Sequence, residues 1–288
     1  MSNKSVKSLL YRVVTIGFFV TLVVFVLLTL MHRTAPVKGY PVTIRWIVHP
    51  DSVLMQADSI VVPVVYQGNP DFSQVKGSER KQRFIHLMLP SILMAQEKMK
   101  QERSRLEQIF LKIEQGIGSR EDSTELKLVL KCYKCRSMDQ LLENIHPHPV
   151  SIVLAQAAIE TGWGTSRFFR EAKNVYGMWS YNSSEKRIKA FEGREGKSIY
   201  LRKYDNLHDS VYDYFYTVSR SHAYKDFRKA RRETQDPFVL IKHLLNYSEI
   251  REEYVEILRK VIKQNELTKF DNYQLAKINE DDPIWKSL

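Results

Sequence analysis

Cysteine is scarce in this sequence, where Cys132 and Cys135 are the only two among 288 residues. A framework of several disulfides is therefore excluded, although the C-x-x-C spacing also occurs in redox enzymes and metal sites. His146 and His148 follow closely, but their H-x-H spacing departs from the usual zinc-finger pattern. We therefore favour free structural thiols over a local disulfide, and a zinc site least of all. No catalytic role, metal or cofactor is assigned.

Acidic residues are outnumbered, because 44 Lys and Arg stand against 33 Asp and Glu and give a net charge of +11. This excess indicates an anionic partner, which can be nucleic acid, a membrane surface or an acidic cell-wall polymer. The sequence contains no nucleic-acid-binding motif, so the first of these is not favoured. A hydrophobic content of 43% excludes a disordered chain and suffices for one large domain or two small ones.

Long uncharged stretches are also few, and the one that stands out is residues 13–31. As a helix it would span roughly 28 Å, enough for one membrane crossing. It is longer than the apolar core of a signal peptide and no small-x-small cleavage site follows it, so an uncleaved anchor is preferred. Basic residues are nearly balanced on its two sides. Charge alone therefore leaves the orientation open, and we place the N-terminus in the cytoplasm because only twelve residues precede the span.

The rest of the chain divides at turn-rich joints. Residues 42–48 and 60–66 are apolar and β-branched, which predicts short strands or an extended connector. Residues 91–115 predict one long helix with Pro90 in its first turn. We interpret this helix as a packing element of the domain that follows, ahead of a dimeric coiled coil. The predicted organisation is a cytoplasmic N-terminus (1–12), a transmembrane anchor (13–31), a connector (32–77), a large outer domain (78–270) and a polar tail (271–288).

The segment that carries the chemistry is residues 151–181. It opens as a helix, on which Glu160 shares a face with Val153 and Gln156 and has no basic partner within one turn. We expect this carboxyl to be partly desolvated and to hold its proton. Gly162 ends the helix, and aromatic residues crowd the loop that follows. A carboxylic acid beside flat rings suggests a sugar-cleaving site, since one acid must protonate the glycosidic oxygen.

The motif AQAAIETGWG at residues 155–164, followed by TSRF and NVYG, resembles the signature of the N-acetylglucosaminidases that cut bacterial peptidoglycan. The particular similarity is to the Bax-type family, related to the flagellar peptidoglycan hydrolase, and it covers roughly residues 78–267. It implies an α+β, mainly α fold: a lysozyme-like domain with a small β-hairpin lobe, and Glu160 as catalytic acid. Two positions depart from the family pattern: Thr161 replaces a frequent serine and Lys173 a frequent asparagine.

Residues 186–204 predict a β-hairpin, which corresponds to the β-lobe of the family. Its many basic residues fit either a solvated hairpin or an electrostatic lip for an anionic glycan, and the resemblance favours the lip. The family carries a second glutamate in its corresponding hairpin. By that analogy Glu192 is the first candidate for a second catalytic carboxylate, followed by Glu195, which is also a candidate for substrate binding, and then Glu185.

The C-terminal third supplies helices and further aromatic candidates. Asn206 is predicted to cap a helix, and residues 237–245 and 252–267 predict two more. Tyr247 and Tyr254 resemble the family's late tyrosine segment, and Tyr247 is the candidate for a helper hydroxyl. The candidate sugar-stacking rings are Trp163, Tyr176 and Trp179, with core packing as the alternative for each tryptophan.

The resemblance implies a membrane-anchored endo-β-N-acetylglucosaminidase that hydrolyses β-1,4 bonds of peptidoglycan glycan strands. It would act on the periplasmic or extracytoplasmic side of the bacterial inner membrane and bind no nucleic acid. Charge on the cleaved sugar could be relieved by water activated by a second carboxylate or by the 2-acetamido group of the substrate. The alternatives are a lytic transglycosylase and a non-catalytic wall-binding protein, and a basic membrane-surface or nucleic-acid binder ranks last.

Overall fold

The computed structural model describes residues 42–68, 70–190 and 198–277, which belong to one unit of the chain, Val37–Leu288. The predicted anchor at residues 13–31 lies outside the described residues, as do Glu192 and Glu195. Within the described part of the chain, no helix is both long and apolar enough to cross a membrane.

The described structure is mainly helical, as predicted, with six short strands. The strands are β1 (Thr43–Trp46), β2 (Ile60–Val61), β3 (Val64–Gln67), β4 (Arg187–Lys189), β5 (Tyr200–Arg202) and β6 (Gln274–Leu275). The α-helices are α1 (Gly77–Glu114), α2 (Arg120–Cys132), α3 (Met138–Asn144), α4 (Val150–Thr161), α5 (Arg167–Ala172), α6 (Leu207–Arg220), α7 (Lys225–Glu233), α8 (Pro237–Leu240) and α9 (Arg251–Gln264). Short 3-10 turns include His222–Tyr224, Leu245–Tyr247 and Leu267–Asn272.

The early strands pack on the helices. β1 pairs in parallel with β3, and β2 pairs in parallel with β6 from the other end of the chain. Ile47, Val61, Val64 and Tyr66 are buried in the same core as the helices. Residues 42–77 therefore belong to the helical unit, because burial of these apolar side chains against the helices removes them from water. The sequence had favoured a separate connector.

Helix α1 begins at Gly77, well before the predicted residue 91, so Pro90 lies inside the helix instead of in its first turn. A proline inside a helix costs about 3 kcal/mol because it removes a hydrogen bond and clashes with the preceding turn. Phe84, Leu87 and Met88 are completely buried on the segment before the proline. Burying each such side chain contributes about 1.5–3 kcal/mol, so core packing outweighs the cost of the proline inside the helix.

Helix α4 is the most buried helix of the described structure, with every residue from Val150 to Ala158 in the core. It packs against α1, against α9 and against the 3-10 turn at Leu267–Asn272. Its first turn is fixed by Asp271, which accepts hydrogen bonds from the Ser151 backbone nitrogen at 2.7 Å and from its hydroxyl at 2.9 Å. The chain beyond residue 270 thus begins as part of the core, where the sequence predicted a peripheral tail.

The other predictions of local structure mostly agree with the structure. Asn206 caps α6 by accepting a hydrogen bond from the Asp209 nitrogen at 2.9 Å. The helix predicted for residues 237–245 is shorter, because α8 gives way to 3-10 turns after Leu240. Cys132 and Cys135 are free thiols, and the Cys135 sulfur accepts a hydrogen bond from Asn144.

Candidate active site

The turn after α4 is an unusually tight one, built from three successive residues with positive φ. Gly162, Trp163 and Gly164 have φ values of 56°, 58° and 83°. The Thr161 hydroxyl fastens this turn, since it donates to the Ala157 carbonyl at 2.6 Å and accepts from the Gly164 nitrogen at 3.0 Å. A serine hydroxyl can make the same two bonds, so the departure at Thr161 preserves the local structure.

Glu160 lies in the last turn of α4, directly before that tight turn. Its Oε1 accepts a hydrogen bond from the Tyr254 hydroxyl at 3.2 Å. Glu160 is exposed to solvent, yet the neighbouring protein atoms partly desolvate its carboxyl. Burial therefore raises the pKa of Glu160, while the bond from Tyr254 opposes that rise. A raised pKa was expected because Glu160 shares a helical face with apolar residues. It suits a group that must donate a proton.

Three tyrosines line the space beside Glu160. The rings of Tyr247 and Tyr254 stack with centroids 5.3 Å apart, and Tyr224 lies 6.1 Å from Tyr247. Burial raises the pKa of each of the three, and the Glu160 charge adds to the rise. Tyr254 bonds to Glu160, whereas the buried Tyr247 hydroxyl has no hydrogen-bond partner among the described residues. The sequence assigned the helper hydroxyl to Tyr247 and assigned no role to Tyr224.

The three predicted sugar-stacking rings have different surroundings. Trp179 is 52% exposed, so its ring face is open to a ligand. Trp163 is half-buried and packs edge-on against Phe84 at 5.9 Å. Tyr176 is buried and stacks on Tyr214 at 4.1 Å, so its ring fills the core and offers no platform in this structure.

Strands β4 and β5 pair antiparallel, with Ile188 opposite Leu201, as the predicted hairpin requires. At its base, Arg202 forms ion pairs with Asp213 at 2.6 Å and with Glu185 at 3.3 Å. The Ser180 hydroxyl also donates to Glu185 at 3.0 Å. Glu185 is thus engaged in anchoring the hairpin.

Asn174 joins the loop after α5 to this hairpin. Its side-chain nitrogen donates to the carbonyls of Met178 and Arg202, both at 2.9 Å, and its oxygen accepts from the Met178 nitrogen. The preceding residue, Lys173, ends α5 with φ of 49°. Asparagine tolerates this left-handed conformation better than most residues, which gives a physical reason for the asparagine frequent at this position in the family.

Behind Glu160 lies a group of polar residues in which sequence reasoning found no role. Gln156, Tyr214, His148 and Arg231 are buried and connected by hydrogen bonds. The sequence placed Gln156 on the Glu160 face of an otherwise apolar helix, and it considered His148 only as a zinc ligand. The described residues contain no group of three or more side chains arranged to hold a metal ion.

Part of the chain resembles known proteins in sequence. Residues 136–267 match the family model described as mannosyl-glycoprotein endo-beta-N-acetylglucosaminidase, the Glucosaminidase family. The chain is 30% identical over 169 residues to Protein bax of Escherichia coli (strain K12). That alignment covers 54% of this chain and 57% of the relative, so the chain spans little more than half of the relative's length. These two matches confirm the resemblance found in the sequence.

Solved structures also resemble the chain. The catalytic domain of the autolysin Auto from Listeria monocytogenes has a TM-score of 0.42 at 18% identity, covering 69% of this chain and 92% of that one. A peptidoglycan hydrolase from Sphingomonas sp. A1 has a TM-score of 0.36 at 23% identity, covering 46% and 86%. The glycoside hydrolase domain of Salmonella typhimurium FlgJ has a TM-score of 0.33 at 24% identity, covering 41% and 84%.

Proposed function

We propose that this protein is a glycoside hydrolase that cleaves peptidoglycan glycan strands, because residues 136–267 match the Glucosaminidase family model. It acts as an endo-β-N-acetylglucosaminidase on β-1,4 bonds, through a lysozyme-like arrangement of its helices. The observation that carries the proposal is Glu160, a carboxyl with a raised pKa at the end of a buried helix and within hydrogen-bond distance of Tyr254. Such a carboxyl keeps its proton at a pH where an ordinary glutamate has lost it.

In the proposed reaction Glu160 donates its proton to the glycosidic oxygen as the bond to the sugar carbon breaks. The positive charge that develops on the sugar is relieved by water activated by a second carboxylate or by the oxygen of the substrate's 2-acetamido group. Tyr247, whose buried hydroxyl has no hydrogen-bond partner among the described residues, is the proposed helper hydroxyl. Trp179 supplies an open ring face for stacking, and the basic hairpin attracts the anionic strand.

The test is digestion of purified peptidoglycan by the full-length protein, with mass spectrometry of the products. We expect a new reducing end on N-acetylglucosamine, and Glu160→Gln should lower turnover by about 10²–10⁴-fold without unfolding the protein. Glu253→Gln, which alters an exposed carboxylate next to Tyr254, serves as the control. Near wild-type turnover by folded Glu160→Gln would reject the acid role. Products that lack the added water would instead favour a lytic transglycosylase.

The second carboxylate is proposed to come from the hairpin, with Glu192 ahead of Glu195. Glu185 ranks lower because it already pairs with Arg202. Turnover of the three Glu→Gln variants, with and without azide, tests the proposal, since azide can replace a missing base in an inverting enzyme. If all three variants digest the wall at the wild-type rate, Glu160 acts with the substrate alone.

Membrane anchoring through residues 13–31 is also a proposal, supported by the length and lack of charge of that run. It places the hydrolase domain outside the inner membrane, where peptidoglycan lies. Protease added to spheroplasts should then leave only a short protected N-terminal piece. Full-length protein that resists protease until the membrane is lysed would overturn this topology.

A further inference from the structure

A line of hydrogen bonds leads from Glu160 into the core. The Tyr254 hydroxyl donates to Glu160 at 3.2 Å, and the side-chain nitrogen of Gln156 donates to the Tyr254 oxygen at 3.5 Å. The oxygen of Gln156 in turn accepts from the Tyr214 hydroxyl at 2.5 Å. These residues come from α4, α6 and α9, so the line joins three helices behind the carboxyl.

The line continues to a buried guanidinium. His148 Nε2 lies 2.9 Å from the Tyr214 hydroxyl, and Arg231 Nη1 lies 3.4 Å from His148 Nδ1. The other terminal nitrogen of Arg231 donates to the backbone carbonyls of Glu143 and Asn144. All five members behind Glu160 are at least 98% buried, and Gln156 and Tyr214 are completely buried.

The direction of every bond follows from Arg231, because a guanidinium has donors and no acceptor. His148 Nδ1 must therefore accept, which places the ring proton on Nε2 and makes that nitrogen the donor to Tyr214. The Tyr214 proton then points to the Gln156 oxygen, the Gln156 amide points to the Tyr254 oxygen, and the Tyr254 proton is left for Glu160. Burial and the nearby Arg231 hold the pKa of His148 well below its usual value, in agreement with a neutral ring.

We propose that Arg231, His148, Tyr214 and Gln156 form a one-directional chain of donors that holds the Tyr254 hydroxyl on Glu160 and so sets the pH range in which Glu160 carries its proton. Successive hydrogen bonds in one direction polarise each other, so each strengthens the next. The four residues are positioning residues because they act through Tyr254. The inference rests on the proposed role of Glu160 as the general acid.

The hydrogen bond from Tyr254 determines in which direction the pKa of Glu160 changes. A donor stabilises the charged carboxylate, so loss of the Tyr254 hydroxyl should raise the pKa of Glu160 further. The titratable groups that face Glu160 from the surrounding elements are Tyr224, Tyr247 and Tyr254, and their raised pKa values keep them neutral over the working range. The bond from Tyr254 is therefore the main contact through which the chain can act on Glu160.

The test measures the titration of Glu160 directly, by carbon NMR of full-length protein labelled at glutamate side chains, with Glu160→Gln to assign the signal. Tyr254→Phe should raise the midpoint by about one pH unit. Tyr214→Phe should raise it by roughly a few tenths of a unit. The double variant should titrate like Tyr254→Phe alone, because Tyr214 acts through Tyr254. Tyr66→Phe, which removes the hydroxyl of another buried tyrosine, is the matched control.

Two results would overturn the inference. One is a folded Tyr214→Phe protein whose Glu160 midpoint equals that of the wild type. The other is a His148 ring in the wild type that carries its proton on Nδ1, or on both nitrogens, between about pH 6 and 8 by nitrogen NMR. The second measurement needs no variant, so it decides the matter even if Tyr214→Phe does not fold. Neither readout requires turnover, so a wild-type protein that fails to cut peptidoglycan rejects the proposed function separately.

Discussion

Asp213 is a buried carboxylate on α6, only 4% exposed, that links this helix to the hairpin. It accepts hydrogen bonds from Arg202 at 2.6 Å and from the Tyr204 hydroxyl at 2.5 Å. Burial by itself lowers the pKa of Arg202, but the carboxylate of Asp213 raises it overall. Because a charge in the core is tolerated only when it is paired, the position of the hairpin depends on this contact.

Asp213→Asn should lower the free energy of unfolding by about 2–4 kcal/mol, since it leaves the Arg202 guanidinium with its charge poorly compensated. The measurement is urea unfolding at neutral pH. Asp205→Asn is the control, because the Lys186–Asp205 pair has side chains that are 67% and 72% exposed. That variant should cost no more than about 1 kcal/mol. Equal losses in the two variants would show that burial of Asp213 adds nothing.

The sequence identified Glu160 because an unpaired carboxylate stands out on an apolar helix. It assigned the helper hydroxyl to Tyr247, which stays a prediction, and it did not show that Tyr254 donates to Glu160. Which tyrosine reaches the carboxyl depends on where α9 begins, and Tyr247 lies in a 3-10 turn before that helix. His148 and Arg231 were out of reach for a different reason. Their bonds join residues 83 positions apart, and no local pattern encodes such a contact.

At the level of elements, periodicity located most helices but not their ends. Pro90 predicted the start of a helix near residue 91. The helix instead begins at Gly77, because the apolar residues before Pro90 pack into the core. The strand pair β2–β6 was equally hidden, because two-residue strands from opposite ends of the chain have no sequence signature. The β4–β5 pairing was predictable because the two strands are close in sequence and alternate in character.

The tight turn between α4 and α5 should depend on Gly164 more than on other glycines. Its φ is +83°, and an added Cβ would lie 2.8 Å from the Phe72 ring and 3.1 Å from Phe84. Gly177 has a similar φ of +65°, but its Cβ would meet nothing within 4 Å. Both substitutions by alanine incur the left-handed backbone cost, and only Gly164→Ala adds a clash with two buried rings.

We expect Gly177→Ala to lower the free energy of unfolding by about 1–2 kcal/mol. Gly164→Ala should lower the free energy of unfolding by about 2–4 kcal/mol, because the clash with the two rings adds to the cost of the left-handed backbone. Urea unfolding of both variants measures the difference. A loss for Gly164→Ala no larger than that for Gly177→Ala would mean that the rings of Phe72 and Phe84 move aside freely.

At the scale of the whole molecule, four histidines of the described part of the chain have lowered pKa values, each primarily because of burial. They are His86, His146, His148 and His208, and the pKa values of His146 and His208 fall to about 4. Glu160 and Asp271 act in the opposite sense, because burial raises their pKa values. These two carboxyls take up protons more readily in the folded state than in the unfolded chain, so they favour folding as the pH falls toward about 4.

The histidines should dominate between about pH 6.5 and pH 4. In that window the unfolded chain binds protons at its histidines and the folded chain does not, so the free energy of unfolding rises with pH and falls on acidification. We expect urea unfolding to show lower stability at pH 5 than at pH 7. The net uptake on unfolding near pH 5.5 should be about three protons, because the four histidines take up more protons than Glu160 and Asp271 release. His208→Asn should reduce that uptake by about one proton, whatever its effect on the midpoint. A stability that is constant or increases between pH 7 and pH 5 would contradict the burial of these rings in their neutral form.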